Sequence, residues 1–398
     1  MATMDRVRNW TGPALFSYGF RPFFFFGALY AAVAIMIWTL WLDGRGALPG
    51  TFPPLAWHAH ELLFGYAIAV VAGFLLTAVP NWTGRLPVVG WPLVGLLCLW
   101  LAGRVAMAFA GVLQPLAAAL LTLAFPLALL GLIAREVVAG RNMRNIKIVA
   151  VLAVLCLAQV GLHVEVWRTG ASTYSARLAL AAYLMLVMIV GGRIIPSFTT
   201  NWIKRENPGR TPAPFDGFDK VAMIFAGAAL ACWTALPAFA AASGVVGVLL
   251  GVSAVLHAVR VARWAPDRVW AEMLVAVLHV AYAFIPLGFA TAAAGALMRD
   301  AAFDIAAIHL WAIGAIGLMT LGVMTRATRG HTGHALVAPP STSALYALLA
   351  FAAIIRFVAV FVSHNAIALT AAGVTWTLAF AGFAMVYGPM CLTRRRSD

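Results

Sequence analysis

The stretch WHAHELLFGYAIAVVAGFLLTAVPNWTG, residues 57–84, decides the fold class of this chain. It contains one charged side chain, Glu61, close to its start. About 20 mainly apolar residues are enough for an α-helix to cross the hydrocarbon core of a bilayer. We therefore predict a membrane-spanning helix over roughly 59–79.

The composition extends this prediction to the whole chain. Of 398 residues, 63% are hydrophobic and only 10% are charged, whereas soluble proteins carry about 25% charged residues. A soluble enzyme, a disordered chain and a DNA-binding domain are excluded, because so few charges cannot cover a soluble fold. The predicted fold class is an all-α polytopic membrane protein, with a single transmembrane domain over 1–398. Its twelve predicted spans lie at roughly 22–42, 59–79, 88–109, 112–134, 146–167, 178–200, 218–240, 243–264, 270–295, 304–327, 341–363 and 366–392.

The charged residues predict the orientation of these spans. The chain has 27 Lys and Arg against 13 Asp and Glu, a net charge of +14. With the N-terminus in the cytoplasm, 21 of the 27 fall on the inner side and 5 on the outer side, while Arg356 lies within a span. Cytoplasmic loops carry such an excess of Lys and Arg. We therefore predict a multi-pass protein of the bacterial cytoplasmic (inner) membrane with both termini in the cytoplasm, and no nucleic-acid partner.

Two of the predicted helices end in similar sequences. GFLLTAVPNWTGR (73–85) ends the second and GGRIIPSFTTNWIKR (191–205) ends the sixth, and their Asn-Trp pairs lie 120 residues apart. The end of the tenth, GLMTLGVMTRATRGHTG (317–333), is a weaker match. This spacing is consistent with three units of four helices.

Three histidines near the predicted outer side are candidate metal ligands. His58 and His60 begin the second helix, and His309 lies about one turn inside the tenth. Imidazoles at one depth suit haem iron or copper. Residues two apart on a regular helix point about 200° apart, so only one of His58 and His60 is expected to face a given centre, and the choice stays open. His58 shares its face with small residues such as Gly65, which allow a flat macrocycle or another helix to approach.

Other ionisable residues inside predicted spans are functional candidates because charges there are costly. Arg356, two turns below the outer surface, either neutralises a haem propionate or extends its charge to the interface. Arg193, in GGRIIP, and His331, in the inner loop TRGHTGH, are candidates for binding an anionic group such as a propionate. Glu61, Glu272 and His279 form a candidate proton path. For Glu272 and His279, which lie on the ninth predicted helix, the alternative is a hydrogen-bonded contact between two helices.

Two further histidines and the cysteines are given structural interpretations. His163 and His364, near the outer ends of the fifth and eleventh helices, are interpreted as interfacial residues that cap their helices, with metal ligation at this shared depth as the alternative. The four cysteines form no C-x-x-C motif, which excludes the usual covalently attached haem and gives no indication of an iron–sulfur cluster.

Four stretches of the chain carry a resemblance to a known family. They are YGFRPFF (18–24), WHAHELLFGYAIAVVAGFLLTAVPNWTG (57–84), GGRIIPSFT (191–199) and LGVMTRATRGHTG (321–333). In their sequence, order and spacing the chain resembles the NnrS family of bacterial membrane proteins over nearly its whole length. The resemblance implies a twelve-helix protein that contains haem and copper and is linked to nitric oxide metabolism and nitrosative stress resistance. It implies roles for His58, His60, Glu61, Arg193, His309 and His331.

The chain is also similar, more loosely, to the haem-copper oxidases. These have twelve core helices in three arcs of four, with haem-ligating histidines on the second and tenth. The sixth and seventh predicted helices of this chain contain no histidine. The three-histidine copper site of that superfamily is therefore absent, and any copper must be bound elsewhere.

Two functional hypotheses follow. In the first, haem b held near the outer face by His309 and one of His58 and His60 binds or processes nitric oxide or handles its products. Copper is then a second cofactor, and a quinol or another reductant is the electron donor if turnover occurs. In the second, the chain is a membrane transporter or a metal- or haem-handling protein without redox turnover.

Overall fold

Twelve long helices make up most of the described chain. The structure, a computed structural model, describes residues 9–362 and 365–394, and within them it contains no β-strand. All twelve helices are long and apolar enough to cross a bilayer, which confirms an all-α, multi-pass membrane protein. In chain order they are α1 (Phe20–Leu42), α2 (Pro54–Thr83), α3 (Trp91–Ala108), α4 (Pro115–Ala139), α5 (Ile146–Thr169), α6 (Thr173–Glu206), α7 (Gly217–Ala235), α8 (Ser243–Ala262), α9 (Met273–Met298), α10 (Ala301–His331), α11 (Pro340–Val358) and α12 (Ala366–Leu392).

Each predicted span overlaps one helix, and the differences fall at the helix ends. The helices α6 and α10 continue to Glu206 and His331, beyond the predicted ends at 200 and 327, because Lys and Arg residues that favour helix follow their apolar parts. In contrast, α11 ends at Val358 and not at 363. Arg356 therefore lies in the last turn of α11 instead of two turns inside it, and His331 is the last residue of α10 instead of a loop residue.

The described residues divide into two compact units. Unit 1 contains those of Met1–Ala179, Met324–Leu336 and Phe380–Asp398, so it holds α1–α5 and the C-terminal ends of α10 and α12. Unit 2 contains Leu180–Val323 and Val337–Ala379, and so holds α7–α9, α11, most of α6 and α10, and the first half of α12. The division does not test the predicted single transmembrane domain or its three four-helix units, which stay predictions.

Aromatic side chains of α1 fill the core of unit 1. Phe20, Phe23 and Phe24 are completely buried. A β-carbon at Gly73 of α2 would lie 2.7 Å from the Phe24 ring. The glycine therefore lets α1 and α2 pack closely, as small residues do between membrane helices.

Arg21 joins the start of α1 to the end of α12 within unit 1. Its guanidinium donates hydrogen bonds to the carbonyl oxygens of Met390, Cys391 and Thr393 at 3.1, 3.0 and 2.5 Å. The last carbonyls of a helix lack partners within it, so a cation there is favourable. Arg21 is among the 21 basic residues predicted on the inner side. Its side chain is buried, so it contributes to helix packing and is not one of the solvent-exposed charges at that side.

Trp311 of α10 lies at the centre of the core of unit 2. It is completely buried, with its ring centroid 5.2 Å from that of Trp233 and 5.3 Å from that of Phe289. Its indole N–H donates to the Ile285 carbonyl at 3.1 Å. A β-carbon at Gly288 of α9 would lie 2.2 Å from the indole nitrogen. The two helices therefore pack at a separation that requires glycine at this position.

We expect Gly288→Ala to lower the thermal unfolding midpoint of the detergent-solubilised protein. The pinned indole of Trp311 would have to move, and overpacking of this kind costs about 1–3 kcal/mol. Gly131→Ala in α4 is the matched control, because a β-carbon there meets nothing within 4 Å. Size-exclusion chromatography after stepwise heating measures both midpoints, and equal values for the two variants would contradict this packing.

The twelve crossings also make the predicted orientation testable. An even number of crossings puts both termini on one side, and the Lys and Arg excess predicts that this side is the cytoplasm. A fluorescent protein fused to the C-terminus should fluoresce, and alkaline phosphatase inserted after Gly46, between α1 and α2, should be active in the periplasm. Active phosphatase at the C-terminus would show that the orientation is reversed.

Candidate functional site

A pair of opposite charges is buried in the interior of unit 1. The Glu61 carboxylate of α2 accepts a hydrogen bond from Arg104 of α3 at 2.6 Å and another from the Tyr30 hydroxyl of α1. Glu61 is only 1% exposed and Arg104 only 8%. A buried charge is costly unless it is paired, so this contact fixes α1, α2 and α3 against one another. The sequence count places Arg104 with the outer-side charges, but its side chain is in the interior because Glu61 neutralises it.

His60 of α2 lies beside this ion pair and is completely buried. Its Nδ1 is 2.6 Å from the second carboxylate oxygen of Glu61, and its Nε2 is 3.3 Å from the side-chain nitrogen of Gln159 on α5. A carboxylate accepts hydrogen bonds, so Nδ1 carries the proton and Nε2 keeps its lone pair. Glu61 thus orients His60 in the way that carboxylates orient metal-binding histidines.

A second imidazole, that of His163 on α5, packs against His60 with the ring centroids 5.3 Å apart. Its Nε2 is 2.9 Å from the Thr122 hydroxyl of α4, which donates its own proton to the Ala119 carbonyl. With the hydroxyl proton on the Ala119 side, His163 Nε2 is assigned as the donor and Nδ1 as the nitrogen with the lone pair. His163 lies near the end of α5, as the sequence predicts, but its side chain is only 2% exposed because α2 and α4 cover it.

Two helices contain a π-helical segment in the described residues, and each segment begins directly after a histidine. The segment of α2 is Glu61–Ala67, after His60, and that of α10 is Leu310–Gly317, after His309. In both helices a glycine lies five and thirteen residues after the histidine: Gly65 and Gly73 in α2, Gly314 and Gly322 in α10. Segments of this kind are rare and occur frequently at functional sites. His60 and His309 therefore occupy equivalent positions in two similar helices.

His58 of α2 is half-buried, and its ring stacks on that of Trp38 on α1 with the centroids 4.4 Å apart. The sequence allows either a macrocycle or another helix to cover the small residues on its predicted face. At Gly65 a β-carbon would lie 2.6 Å from Tyr30 and 2.7 Å from Arg104. Neighbouring helices therefore cover this position.

His309 of α10 is half-buried, and one of its ring nitrogens is fixed by the backbone. Its Nδ1 lies 2.8 Å from the Ile305 carbonyl oxygen, one turn earlier. A carbonyl only accepts, so Nδ1 carries the proton and Nε2 is the nitrogen with the lone pair. This partner is typical of histidines that bind metals through Nε2.

Aromatic contacts place the turn that carries Arg356 close to the first turns of α10. Phe357, the next residue, has its ring centroid 5.3 Å from that of Phe361, which lies 4.9 Å from that of Phe303 on α10. Arg356 itself is half-buried. The turn of α11 that carries Arg356 therefore lies near the end of α10 on which His309 lies.

Arg260 of α8 is a buried charge that the sequence places with the cytoplasmic residues. It is 1% exposed and donates to Asp219 of α7 at 2.8 Å and to the Tyr282 hydroxyl of α9 at 2.6 Å. That hydroxyl is also 2.9 Å from His257 Nδ1. These four side chains form a polar cluster in unit 2. Only long-range contacts reveal it, because in sequence Arg260 lies close to the end of an apolar helix.

The Gly191-Gly192 pair of α6 makes room for this cluster. A β-carbon at Gly192 would lie 2.3 Å from the Arg260 guanidinium, and one at Gly191 would lie 3.5 Å from the Tyr282 ring. The helix is continuous here, so the pair marks close packing rather than a break. Arg193, the next residue, is exposed on α6. Arg193 lies more than three turns before the end of α6 at Glu206. The predicted span ended at 200, which would have placed Arg193 about two turns from the helix end.

The two proton-path candidates on α9 have structural contacts. The Glu272 carboxylate accepts from the backbone N–H groups of Leu274 and Ala338 at 2.9 and 3.1 Å and so caps α9. His279 Nε2 is 2.8 Å from the Thr199 hydroxyl of α6, while its Nδ1 is buried with no hydrogen-bond partner among the described residues. These contacts are typical of a seam between helices, and the proton path stays a prediction.

The last two candidates are His331 and His364. His331 packs within unit 1 against Tyr18 and Phe20, with centroid distances of 5.1 and 5.5 Å. Its predicted role with an anionic group stays a prediction. His364 lies outside the described residues.

In the described parts of the chain, no group of three or more His, Cys, Asp and Glu side chains could hold a metal ion.

We expect Arg104→Met to destabilise the protein by about 3–5 kcal/mol, because it leaves the Glu61 charge buried without its partner. The double variant Arg104→Met/Glu61→Gln should recover much of this loss, since it removes both charges. Thermal midpoints in detergent measure the two effects. If the double variant is no more stable than Arg104→Met, the ion pair does not hold these helices together.

Comparison with known proteins is consistent with this architecture. A family model described as NnrS protein matches residues 14–396. No curated protein shows significant similarity to the chain. The family match supports a nitric-oxide-related membrane protein. Because the match covers nearly the whole chain, this multi-pass protein belongs to the NnrS family.

Proposed function

We propose that the chain is a haem- and copper-containing membrane protein that acts in nitric oxide metabolism or nitrosative stress resistance, with haem b held by histidines near the outer face. The observation that carries the proposal is His309, whose Nδ1 lies 2.8 Å from a backbone carbonyl at the start of a π-helix. This contact leaves the lone pair on Nε2, the arrangement in which a neutral imidazole binds iron. Haem and copper themselves are implied by the family resemblance.

The chemistry of the residues near His309 fits a haem group. The imidazole is half-buried, so it is accessible from the surface of its unit. Arg356, near the same end of α10, supplies a cation for a propionate carboxylate. When bound, haem b supplies an iron centre to which nitric oxide binds. The chain's own contribution is to fix the imidazole tautomer and to neutralise the carboxylates.

Between His58 and His60, the contacts favour His58 as a second candidate for haem ligation. The His60 ring is completely buried beside Glu61 and Gln159, so a group as large as haem has no access to it. His58 is half-buried, and stacking on Trp38 fixes the plane of its ring. We assign His58 and His309 as candidates, each from its own contacts, while Arg193 and His331, toward the inner ends of α6 and α10, are candidates for binding an anionic group other than the propionates of this haem.

The purified protein should contain haem b, with a Soret band that shifts when nitric oxide is added. His309→Ala and His58→Ala are each expected to lose most of the Soret absorbance per chain or to change its position, because a histidine that would hold the iron is removed. His334→Ala is the matched control. This half-buried histidine follows α10 and contacts the Thr332 hydroxyl, and its removal should leave the spectrum unchanged.

Unchanged spectra in both the His309 and the His58 variants would rule out the ligand assignment. Metal and haem analysis of the same preparations tests the cofactor content directly. Transport of metal or haem into vesicles, without any spectroscopic response to nitric oxide, would favour a transporter or metal-handling protein and contradict the proposed function.

A further inference from the structure

We infer that His60 and His163, together with the side-chain oxygen of Gln159, bind a monovalent transition-metal ion, for which Cu⁺ is the probe. All three side chains belong to unit 1 and lie on α2 and α5. The inference assigns the copper of the proposed function to named residues. It rests on that proposal only for the identity of the metal, because the site itself follows from the contacts of these side chains.

The two imidazoles are close enough to share one ion. Metal–nitrogen bonds of about 2.0–2.1 Å allow the centroids of two rings on one ion to lie up to about 6.4 Å apart, and the centroids of His60 and His163 are 5.3 Å apart. Each ring has one nitrogen that is fixed as a donor, by Glu61 and by Thr122 respectively. The other nitrogen of each, Nε2 of His60 and Nδ1 of His163, keeps the lone pair that a metal requires.

Gln159 supplies a third donor that has no other use in the described structure. The residue is completely buried, and its Oε1 has no hydrogen-bond partner among the described residues. Its side-chain nitrogen donates to the Thr122 carbonyl at 3.2 Å, which fixes the amide beside the rings. An unsatisfied buried oxygen is costly, and a bound cation would remove that cost. The contact of 3.3 Å between Gln159 and His60 is long for a hydrogen bond and is readily replaced.

The charge around the site favours a monovalent ion. The two imidazoles and the amide are neutral, and the nearby Glu61 carboxylate is already paired with Arg104 at 2.6 Å. Phe52 packs against both rings, with centroid distances of 6.1 and 5.8 Å, which keeps the site apolar. Because the cost of burying an ion rises with the square of its charge, a divalent ion would pay roughly four times as much as a monovalent one. Imidazole suits copper. Cu⁺ therefore has both the single charge and the ligand preference that this site requires.

The test is a Cu⁺ titration of the purified full-length protein in detergent without oxygen, in competition with a chromophoric Cu⁺ chelator. His163→Gln should bind one equivalent less Cu⁺ than the wild type. Thr122→Val removes the hydroxyl that orients His163 and should weaken binding about 10–100-fold. His279→Gln is the matched control: His279 is a buried histidine that also contacts a threonine hydroxyl, and its substitution should leave the stoichiometry unchanged.

Elution as a single species and an unchanged helical circular dichroism spectrum establish that each variant is folded. X-ray absorption of the Cu⁺-loaded wild type should show nitrogen or oxygen neighbours and no sulfur. Equal Cu⁺ binding by the wild type and His163→Gln would overturn the assignment, as would sulfur neighbours or tighter binding of Zn²⁺. The two proposals can fail separately because they use different residues. His309→Ala should lose haem and keep Cu⁺ binding, whereas His163→Gln should lose Cu⁺ and keep any bound haem.

Discussion

The pairing of buried charges is the constraint on which the arrangement within each unit depends. Apolar side chains alone leave the rotation and depth of membrane helices weakly determined, because lipid is as apolar as they are. In unit 1, Arg104 meets Glu61 at 2.6 Å, and in unit 2, Arg260 meets Asp219 at 2.8 Å. Removing one partner of such a pair costs about 3–5 kcal/mol, so a rotation of α3 or α8 that separates the charges is strongly disfavoured.

The irregular part of α2 depends on the same contact. Glu61 is the first residue of the π-helical segment, and its carboxylate must reach Arg104, Tyr30 and His60 together. Irregular backbone inside a membrane protein is tolerated only where its polar groups find partners. Here the Trp100 indole N–H donates to the Gly65 carbonyl at 2.9 Å. The segment is therefore supported by α3 on both counts, through a charge and through a hydrogen bond.

Hydropathy was sufficient to predict all twelve helices, because each helix by itself needs about 20 mainly apolar residues to cross about 30 Å of hydrocarbon. It also singled out the segment that carries His60 and Glu61. It could not predict the partners Arg104, Thr122 and Gln159, because helical periodicity gives the face of a residue but not the helix that the face contacts. His163 shows this limit: its depth was predicted, but its burial depends on α2 and α4. A π-helical segment adds a second limit, since it changes the register on which the predicted face of His58 was based.

The hydrogen bonds of the histidine rings separate structural histidines from ligand candidates better than depth does. In His257, Nε2 lies 3.2 Å from the Ala222 carbonyl, so it donates, and Nδ1 accepts from the Tyr282 hydroxyl at 2.9 Å. Both nitrogens are used, and no lone pair is left for a ligand. His60 and His163 have one short contact each, at 2.6 and 2.9 Å, and keep a lone pair in the same buried cluster. Because a buried acceptor without a good donor is costly, both rings would gain from a bound cation.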